Sequence, residues 1–194
     1  MTIGFQIFFR KISSLIIRSK IRVSTLLIYN FALANGRIEV AKDCSFGRDF
    51  SIRATDGASI KIGARCTFGD QVEIVAQGGV ITIGEDVHIG KGSVIVCRES
   101  ISIGSDTLIA EYVVIRDQNH ETKTRPIKSA GFRTSPISIG EDVWIGCKAS
   151  ILQGGSVGNR SIVGAHALVL TSIASDQLAV GIPARQKSNI GNVF

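Results

Sequence analysis

A six-residue period that runs from Val40 to Val169 constrains the fold of this chain more than any other feature of its sequence. An aliphatic residue or phenylalanine, often followed by glycine, opens each unit, and three units make a turn of about 18 residues. The opening positions are Val40, Phe46, Ile52, Ile62, Phe68, Ile74, Ile83, Ile89, Ile95, Ile103, Ile109, Ile115, Ile139, Ile145, Ile151, Val157, Val163 and Val169. Because one such unit cannot bury its own apolar side chains, successive turns must stack. The pattern predicts an all-β solenoid, a parallel β-helix of about six coils.

Inside each unit the first residue is expected to point into the solenoid, glycine to relieve the corner, and the fifth residue to pack beneath the next coil. Cys44 and Cys66 occupy this fifth, small-residue position. We predict that they are free thiols acting as small apolar residues, since the chain has no CxxC pair. Extra residues around Gly78-Gly79 and Glu99-Ser100 predict small bulges in otherwise regular turns.

The period is interrupted between Ile115 and Ile137. Residues 116–136 carry no repeat and contain Pro126, Gly131 and Pro136, which predicts a loop extruded from the solenoid. We therefore divide the chain into an N-terminal segment at 1–35, a β-helix domain at 36–182 and a C-terminal tail at 183–194.

The N-terminal segment has the pattern of an amphipathic helix. Basic residues interrupt its apolar runs, which argues against a membrane-spanning helix. These basic residues follow an apolar start, whereas a signal peptide begins with its charged residues, which argues against a signal peptide. Two interpretations stay open: the helix caps the solenoid, or residues 1–22 contact a membrane peripherally. The apolar face consists of Phe5, Phe8, Phe9, Ile12, Leu15 and Ile16.

The chain is basic, with 22 Lys and Arg against 16 Asp and Glu, a formal net charge of +6. Such a charge suits a phosphorylated cofactor, an anionic lipid or an acidic sugar polymer. No base-stacking, zinc-finger or helix-turn-helix motif accompanies it, so nucleic acid is not expected as a partner.

Three segments together resemble one known family. Residues 116–127, the resumed repeat at 139–146 and the sequence Gly181-Ile182-Pro183-Ala184-Arg185 are similar to the maltose/galactoside and surface-polysaccharide O-acetyltransferase branch of the hexapeptide-repeat acyltransferases. The resemblance covers about residues 60–187. It implies a left-handed coil, a homotrimer, acetyl-CoA as cosubstrate and a cytoplasmic location, with the inner face of the membrane as a possible site of action.

His120 is the candidate catalytic base. One imidazole can remove the proton from an acceptor hydroxyl and then protonate the departing thiolate. Asp117, Glu121 or a backbone carbonyl could accept the other ring N–H, and Asp117 is favoured weakly. The resemblance makes the backbone N–H of Cys147 the oxyanion donor, in a direct attack without an acyl-cysteine. His88 and His166 fall at outward positions of their units.

The resemblance also supplies binding residues. Trp144 would line the acceptor pocket, although packing in the trimer interface or under the loop is an alternative. Asn119 and Arg125 complete the acceptor candidates. Residues 121–136 carry a net charge of +3, which suits either an acidic acceptor or coenzyme A phosphates. The coenzyme A candidates are Gly146, Cys147, Ala165, Thr171, Arg185 and Lys187.

The leading functional hypothesis is therefore acetyl-CoA-dependent O-acetylation of a sugar hydroxyl, in a surface polysaccharide or its precursor. Alternatives are N-acetylation of a nucleotide-linked amino sugar and a non-catalytic binding solenoid. Metal-dependent hydrolyases on the same scaffold use three converging histidines with a closely spaced pair. His88, His120 and His166 contain no such pair, so no metal is expected.

Overall fold

The computed structural model describes residues 36–190, which form a β-solenoid with three parallel sheets as its walls. The prediction of a helix in residues 1–35 lies outside the described residues, as do the last four residues of the predicted tail. Among the described residues, no helix is long and apolar enough to cross a membrane.

The strands follow one another around the solenoid, so that each sheet receives every third strand. Sheet A contains β1 (Arg37–Val40), β4 (Ser59–Ile62), β7 (Val80–Ile83), β10 (Ser100–Ile103), β15 (Ile137–Ile139), β18 (Ser156–Val157) and β21 (Ser172–Ile173). Sheet B contains β2 (Ser45–Phe46), β5 (Thr67–Phe68), β8 (His88–Ile89), β11 (Leu108–Ile109), β16 (Trp144–Ile145), β19 (Ile162–Val163), β22 (Gln177–Val180) and β23 (Arg185–Asn189). Sheet C contains β3 (Ser51–Thr55), β6 (Glu73–Gln77), β9 (Val94–Cys97), β12 (Val114–Arg116), β17 (Ser150–Leu152) and β20 (Leu168–Val169).

Residues in equivalent positions of successive coils stack on one another in the core. On sheet C, for example, Ile74, Ile95, Ile115 and Ile151 are register partners in consecutive strands. All of the predicted opening residues are buried except Val40, which lies partly exposed in the first coil. The predicted solenoid of six coils is therefore confirmed, with β21 and β22 beginning a seventh.

Small residues at the fifth position of several units link neighbouring coils. The Cys44 thiol lies 3.2 Å from the carbonyl oxygen of Gly63, and the Cys66 thiol lies 3.1 Å from that of Gly84. Thr107 and Ser161 donate their hydroxyls to the carbonyls of Gly140 and Ala174 in the same way. All four cysteines are free, among them Cys44 and Cys66 as predicted, and burial raises the pKa of the Cys66 thiol to about 11.

Two segments differ from the sequence-based expectation. The chain leaves the solenoid after Arg116, which still belongs to β12, and residues 117–136 contain an antiparallel hairpin of β13 (Gln118–His120) and β14 (Phe132–Thr134). A short 3-10 helix at Ile127–Ser129 lies between the two strands. The expected C-terminal tail contains β23, which pairs antiparallel with β22 at the end of sheet B. Its backbone groups thereby cover an otherwise open sheet edge.

Substitution of one stacked core residue tests the stacking directly. Ile109 is fully buried, whereas its neighbour Leu108 points outward and is 44% exposed. We expect Ile109→Ala to lower the free energy of unfolding by about 2–5 kcal/mol, because it removes apolar burial and leaves a cavity. Leu108→Ala should change it by about 0.5 kcal/mol or less. Denaturant unfolding of both variants measures the difference, and equal losses would contradict the assigned orientation.

Candidate functional site

The hairpin carries His120 away from the corner between sheets C and A. Gln118 pairs with Thr134, Asn119 with Arg133, and His120 with Phe132. Side chains directly opposite each other in an antiparallel pair lie on the same face, and successive residues alternate. Gln118, His120, Phe132 and Thr134 therefore share one face, and Asn119 lies on the other.

His120 is exposed, and its ring packs on the ring of Phe132, with centroids 4.5 Å apart. The Arg98 guanidinium lies over the same phenyl ring, 3.9 Å from its centroid. Phe132 thus connects the candidate base to a cation from the preceding coil. No hydrogen bond to the His120 imidazole forms within residues 36–190, so both ring nitrogens are open to a substrate or to a second subunit.

The contacts of Asp117 differ from the prediction that this residue orients the His120 ring. Its carboxylate is fully buried and accepts backbone N–H bonds from Arg98, Glu99 and Ser100 at 2.8–3.1 Å. These groups belong to the predicted bulge of the preceding coil, so Asp117 does not orient the His120 ring as expected. A carboxylate that satisfies three unpaired amides instead fixes the base of the hairpin to the solenoid.

The buried Cys97 thiol completes the environment of Asp117, with its sulfur 3.2 Å from the carboxylate. Burial, together with the neighbouring negative charge, raises the pKa of this thiol to about 12. Cys97 is therefore a neutral donor to Asp117 and not a nucleophile.

Glu121, the other carboxylate considered as an orienter, faces its own loop. It accepts hydrogen bonds from the backbone N–H groups of Thr122 and Lys123 at 2.7 and 2.8 Å, and it lies 3.7 Å from Arg133. These hydrogen bonds hold the pKa of the Glu121 carboxyl below its ordinary value. Its part is to order the loop that follows His120.

The opposite face of the hairpin is attached to the next coil. The side-chain amide of Asn119 donates to Gln153 at 3.0 Å, and the Ser135 N–H donates to the carbonyl of Asp117 at the neck of the hairpin. Asn119 thus acts in this chain as an anchor. Contacts on both faces position the strand that carries His120.

Cys147 lies at another corner, between sheets B and C, and is partly buried. The N–H groups of Gly146 and Lys148 donate to carbonyls of adjacent coils, but the Cys147 N–H has no acceptor among the described residues. This N–H is free to donate to a ligand, and its role as the oxyanion donor stays a prediction. Glycine at 146 is required by packing, because a Cβ there would lie 2.6 Å from the backbone nitrogen of Ala165.

Trp144 points outward from sheet B and is 45% exposed. It lines a groove of about 630 Å³ with Leu108, Ile162, Arg160 and Ile190. The groove includes neither His120 nor Cys147. Within one chain, Trp144 thus lies on sheet B and Cys147 at the adjoining corner with sheet C, whereas the hairpin leaves the corner between sheets C and A.

The other predicted residues are all exposed, but they do not form one cluster. Ala165 adjoins Gly146 at the corner between sheets B and C, and Thr171 follows β20 at the corner between sheets C and A. Arg185 and Lys187 lie on β23, and Arg125 lies in the loop of the hairpin.

The remaining histidines occupy the predicted outward positions. His88 and His166 are both exposed, and His88 shares a hydrogen bond of 2.7 Å with Thr67. Residues 36–190 contain no group of three His, Cys, Asp or Glu side chains that could hold a metal ion.

Sequence reasoning did not identify Arg98, Phe132 or Cys97 as site residues. Arg98 falls in a predicted bulge and Phe132 in a segment without a repeat, and neither type of residue marks an acetyl-transfer site by itself. The only available signal was the length of the turn at 98–100, where extra residues leave backbone amides that need an acceptor.

The chain is similar in sequence to a known repeat family and to known acetyltransferases. Residues 80–115 and 136–170 match the family model described as the hexapeptide repeat of succinyl-transferase. A protein of Mycobacterium tuberculosis described as an acetyltransferase is 36% identical over 165 residues, which cover 84% of this chain and 55% of that protein. An Escherichia coli K12 protein described as a lipopolysaccharide biosynthesis O-acetyl transferase is 34% identical over 137 residues, which cover 66% of this chain and 70% of that protein.

A third relative is the galactoside O-acetyltransferase of Escherichia coli K12, which is 32% identical over 57% of this chain and 54% of its own length. The chain thus spans just over half the length of two of these relatives, the Mycobacterium tuberculosis protein and the galactoside O-acetyltransferase. Among solved structures, the fold is similar to that of AntD, an N-acyltransferase from Bacillus cereus in complex with dTDP and 3-hydroxybutyryl-CoA. The TM-score is 0.70, and the two sequences are 20% identical over 88% of this chain and 89% of that one. A galactoside acetyltransferase in complex with coenzyme A has a TM-score of 0.52 and 21% identity over 82% of this chain and 66% of that one.

Proposed function

Because the chain belongs to the hexapeptide-repeat acyltransferase family, we propose that it transfers an acetyl group from acetyl-CoA to a hydroxyl of a sugar. The acceptor is a surface polysaccharide or a precursor of one. The observation that carries the proposal is the hairpin at 118–134, which presents His120 with both ring nitrogens open to a ligand while its base is held at Asp117 and Asn119.

In this mechanism, His120 removes the proton from the acceptor hydroxyl as its oxygen attacks the thioester carbonyl carbon. The Cys147 N–H donates to the carbonyl oxygen as negative charge develops there. The carbon–sulfur bond then breaks, and the proton held by His120 passes to the departing sulfur. The products are the acetyl ester and free coenzyme A thiol.

His120 and Cys147 project from different corners of one chain, so the proposal requires a second subunit. In a homotrimer, the hairpin of one protomer faces the corner between sheets B and C of its neighbour, and Gly146, Cys147 and Ala165 form the wall for coenzyme A. Trp144 then contributes to the acceptor pocket of that interface. The proposed location is the cytoplasm, where acetyl-CoA is supplied.

The chemical outcome can be tested with purified full-length protein, acetyl-CoA and pairs of acceptors that differ only in carrying a hydroxyl or an amine. We expect release of free thiol that depends on the hydroxyl acceptor, together with a product whose acetyl group is removed by mild alkali, as esters are. An alkali-stable amide formed only with amino sugars would instead identify the alternative N-acetyltransferase activity. Absence of acceptor-dependent thiol release across both sets would support a non-catalytic solenoid.

A further inference from the structure

Two buried polar atoms without partners belong to the hairpin that carries His120 and to the turn that packs against it. They are Nε of Arg98 and Oε1 of Gln118, and no other buried side-chain nitrogen or oxygen within residues 36–190 lacks a hydrogen-bond partner. Such atoms are nearly always paired in folded proteins, and a buried atom left without a partner is costly. Both exceptions in the described part of the chain thus occur beside the proposed base.

Arg98 is fixed in this position. Its guanidinium lies 3.9 Å from the Phe132 ring centroid, and its backbone N–H donates to Asp117 at 2.8 Å. No carboxylate of residues 36–190 forms an ion pair with it, whereas Arg48, Arg65 and Arg160 are paired with aspartates on neighbouring coils. An ordered arginine without an anion is a ready site for a carboxylate or phosphate.

Gln118 supplies the complementary group. It is 4% exposed and lies on the same face as His120 and Phe132, according to the pairing of the hairpin. Its unpaired oxygen accepts a hydrogen bond, and a hydroxyl is the donor that a saccharide offers most often. A ligand that carries an anionic group beside a hydroxyl would satisfy both side chains.

The positive charges of the hairpin are not equivalent. Arg133 lies on the opposite face and is near Glu121, and Lys123, Arg125 and Lys128 are exposed. The phosphates of coenzyme A are not the anion that Arg98 would bind. His120 marks the thioester end of the cosubstrate, and the phosphates lie at the other end of the pantetheine arm. An anion bound at Arg98 therefore belongs to the acceptor.

We propose that Arg98 and Gln118 form a subsite that binds an anionic group and an adjacent hydroxyl of the acceptor, so that the substrate is an acidic sugar. Arg98 is the specificity-determining residue of this subsite. The inference rests on the proposed function, because it takes His120 as the base that marks the reacting hydroxyl.

The test measures acetyl transfer to an oligosaccharide of glucuronic acid and to the same oligosaccharide after reduction of its carboxyl groups. A hexose phosphate and the parent hexose form a second pair, which distinguishes phosphate from carboxylate as the anion. For the wild type, we expect kcat/KM to be at least about tenfold higher for the acidic member of one pair. This factor corresponds to the usual contribution of one hydrogen bond to a charged group. Arg98→Gln should reduce this preference, because kcat/KM falls more for the acidic member than for the neutral one. Gln118→Leu removes the acceptor for the hydroxyl that both members carry, so it should lower kcat/KM for both.

Lys128→Gln is the matched control, because it removes one positive charge from the same hairpin at an exposed position. It should leave the acidic preference unchanged. Equal loss of activity toward both members in Arg98→Gln would overturn the subsite and assign Arg98 to packing on Phe132. A wild-type preference for the neutral member would also overturn the subsite. If Arg98→Gln fails to fold, Arg98→Lys keeps the charge without the planar fork and should show a smaller preference.

Failure of the proposed function gives a different result. If the wild type acetylates none of the four compounds, their equilibrium binding is measured with the same variants. Stronger binding of an acidic member that is lost in Arg98→Gln supports the subsite without the acetyl transfer. Equal binding of acidic and neutral members overturns it.

Discussion

Replacement of His120 by alanine is expected to lower acetyl transfer by about 10²–10⁴-fold, the usual contribution of general acid–base catalysis. The loss should fall on kcat, because the imidazole acts on the proton transferred in the reaction and not on binding of coenzyme A. The ring is exposed and makes no hydrogen bond within residues 36–190, so the variant should fold normally. Free thiol release under saturating acetyl-CoA measures the effect.

His88→Ala is the matched control for this experiment, since His88 is also exposed but lies on sheet B two coils before Trp144. It should retain wild-type turnover. Wild-type turnover by His120→Ala would remove His120 from the reaction, and a comparable loss in both variants would point to a general effect of surface histidines.

Replacement of Asp117 by alanine should give the largest loss of stability outside the apolar core. It leaves three backbone N–H groups of the 98–100 turn without their acceptor in a buried site. We expect a loss of about 3 kcal/mol in the free energy of unfolding, because each unpaired buried donor is costly. The hairpin should also shift, and a displaced base is expected to reduce kcat by about 10²-fold.

Two measurements separate these effects. Denaturant unfolding gives the stability, and hydrogen exchange should show faster exchange of the amides at 98–100. Asp56→Ala is the matched control, since Asp56 occupies an exposed position at the same corner of an earlier coil. Unchanged exchange at 98–100 in Asp117→Ala would show that the carboxylate does not hold the turn.

The solenoid could be predicted from the sequence because its physics is local and repeated. Ile95, Ile115 and Ile151 each open a unit, and each must lie over the same position of the coil below. The left-handed sense of the coil and the trimer were expected only from the resemblance, since spacing alone fixes neither.

The site could be predicted only in part. The missing repeat at 116–136 located the extruded segment, and the outward position of Trp144 followed from its place in a unit. The antiparallel pairing of His120 with Phe132 left no period in the sequence, so the contact with Arg98 could not be anticipated. Sequence alone favours Asp117 as an orienter of His120, three residues along the chain, whereas its hydrogen-bond partners lie in the preceding coil.

The strand β23 shows the same limit. Residues 185–189 are polar or charged and do not alternate, so nothing in them indicates a strand. They pair because the exposed edge of β22 offers backbone donors and acceptors. Pairing that depends on a sheet edge cannot be read from the paired segment alone.

His120 is proposed as the base for an acceptor hydroxyl at a site shared between subunits. The most direct test is a crystal structure of the protein with coenzyme A and an acetylatable acidic saccharide, in which the distance from the His120 ring nitrogen to the nearest acceptor hydroxyl is measured. We predict a distance of about 2.6–3.2 Å, with the coenzyme A thiol beside Cys147 of a neighbouring protomer. An acceptor bound with all of its hydroxyls beyond the reach of His120 would show that His120 is not the base.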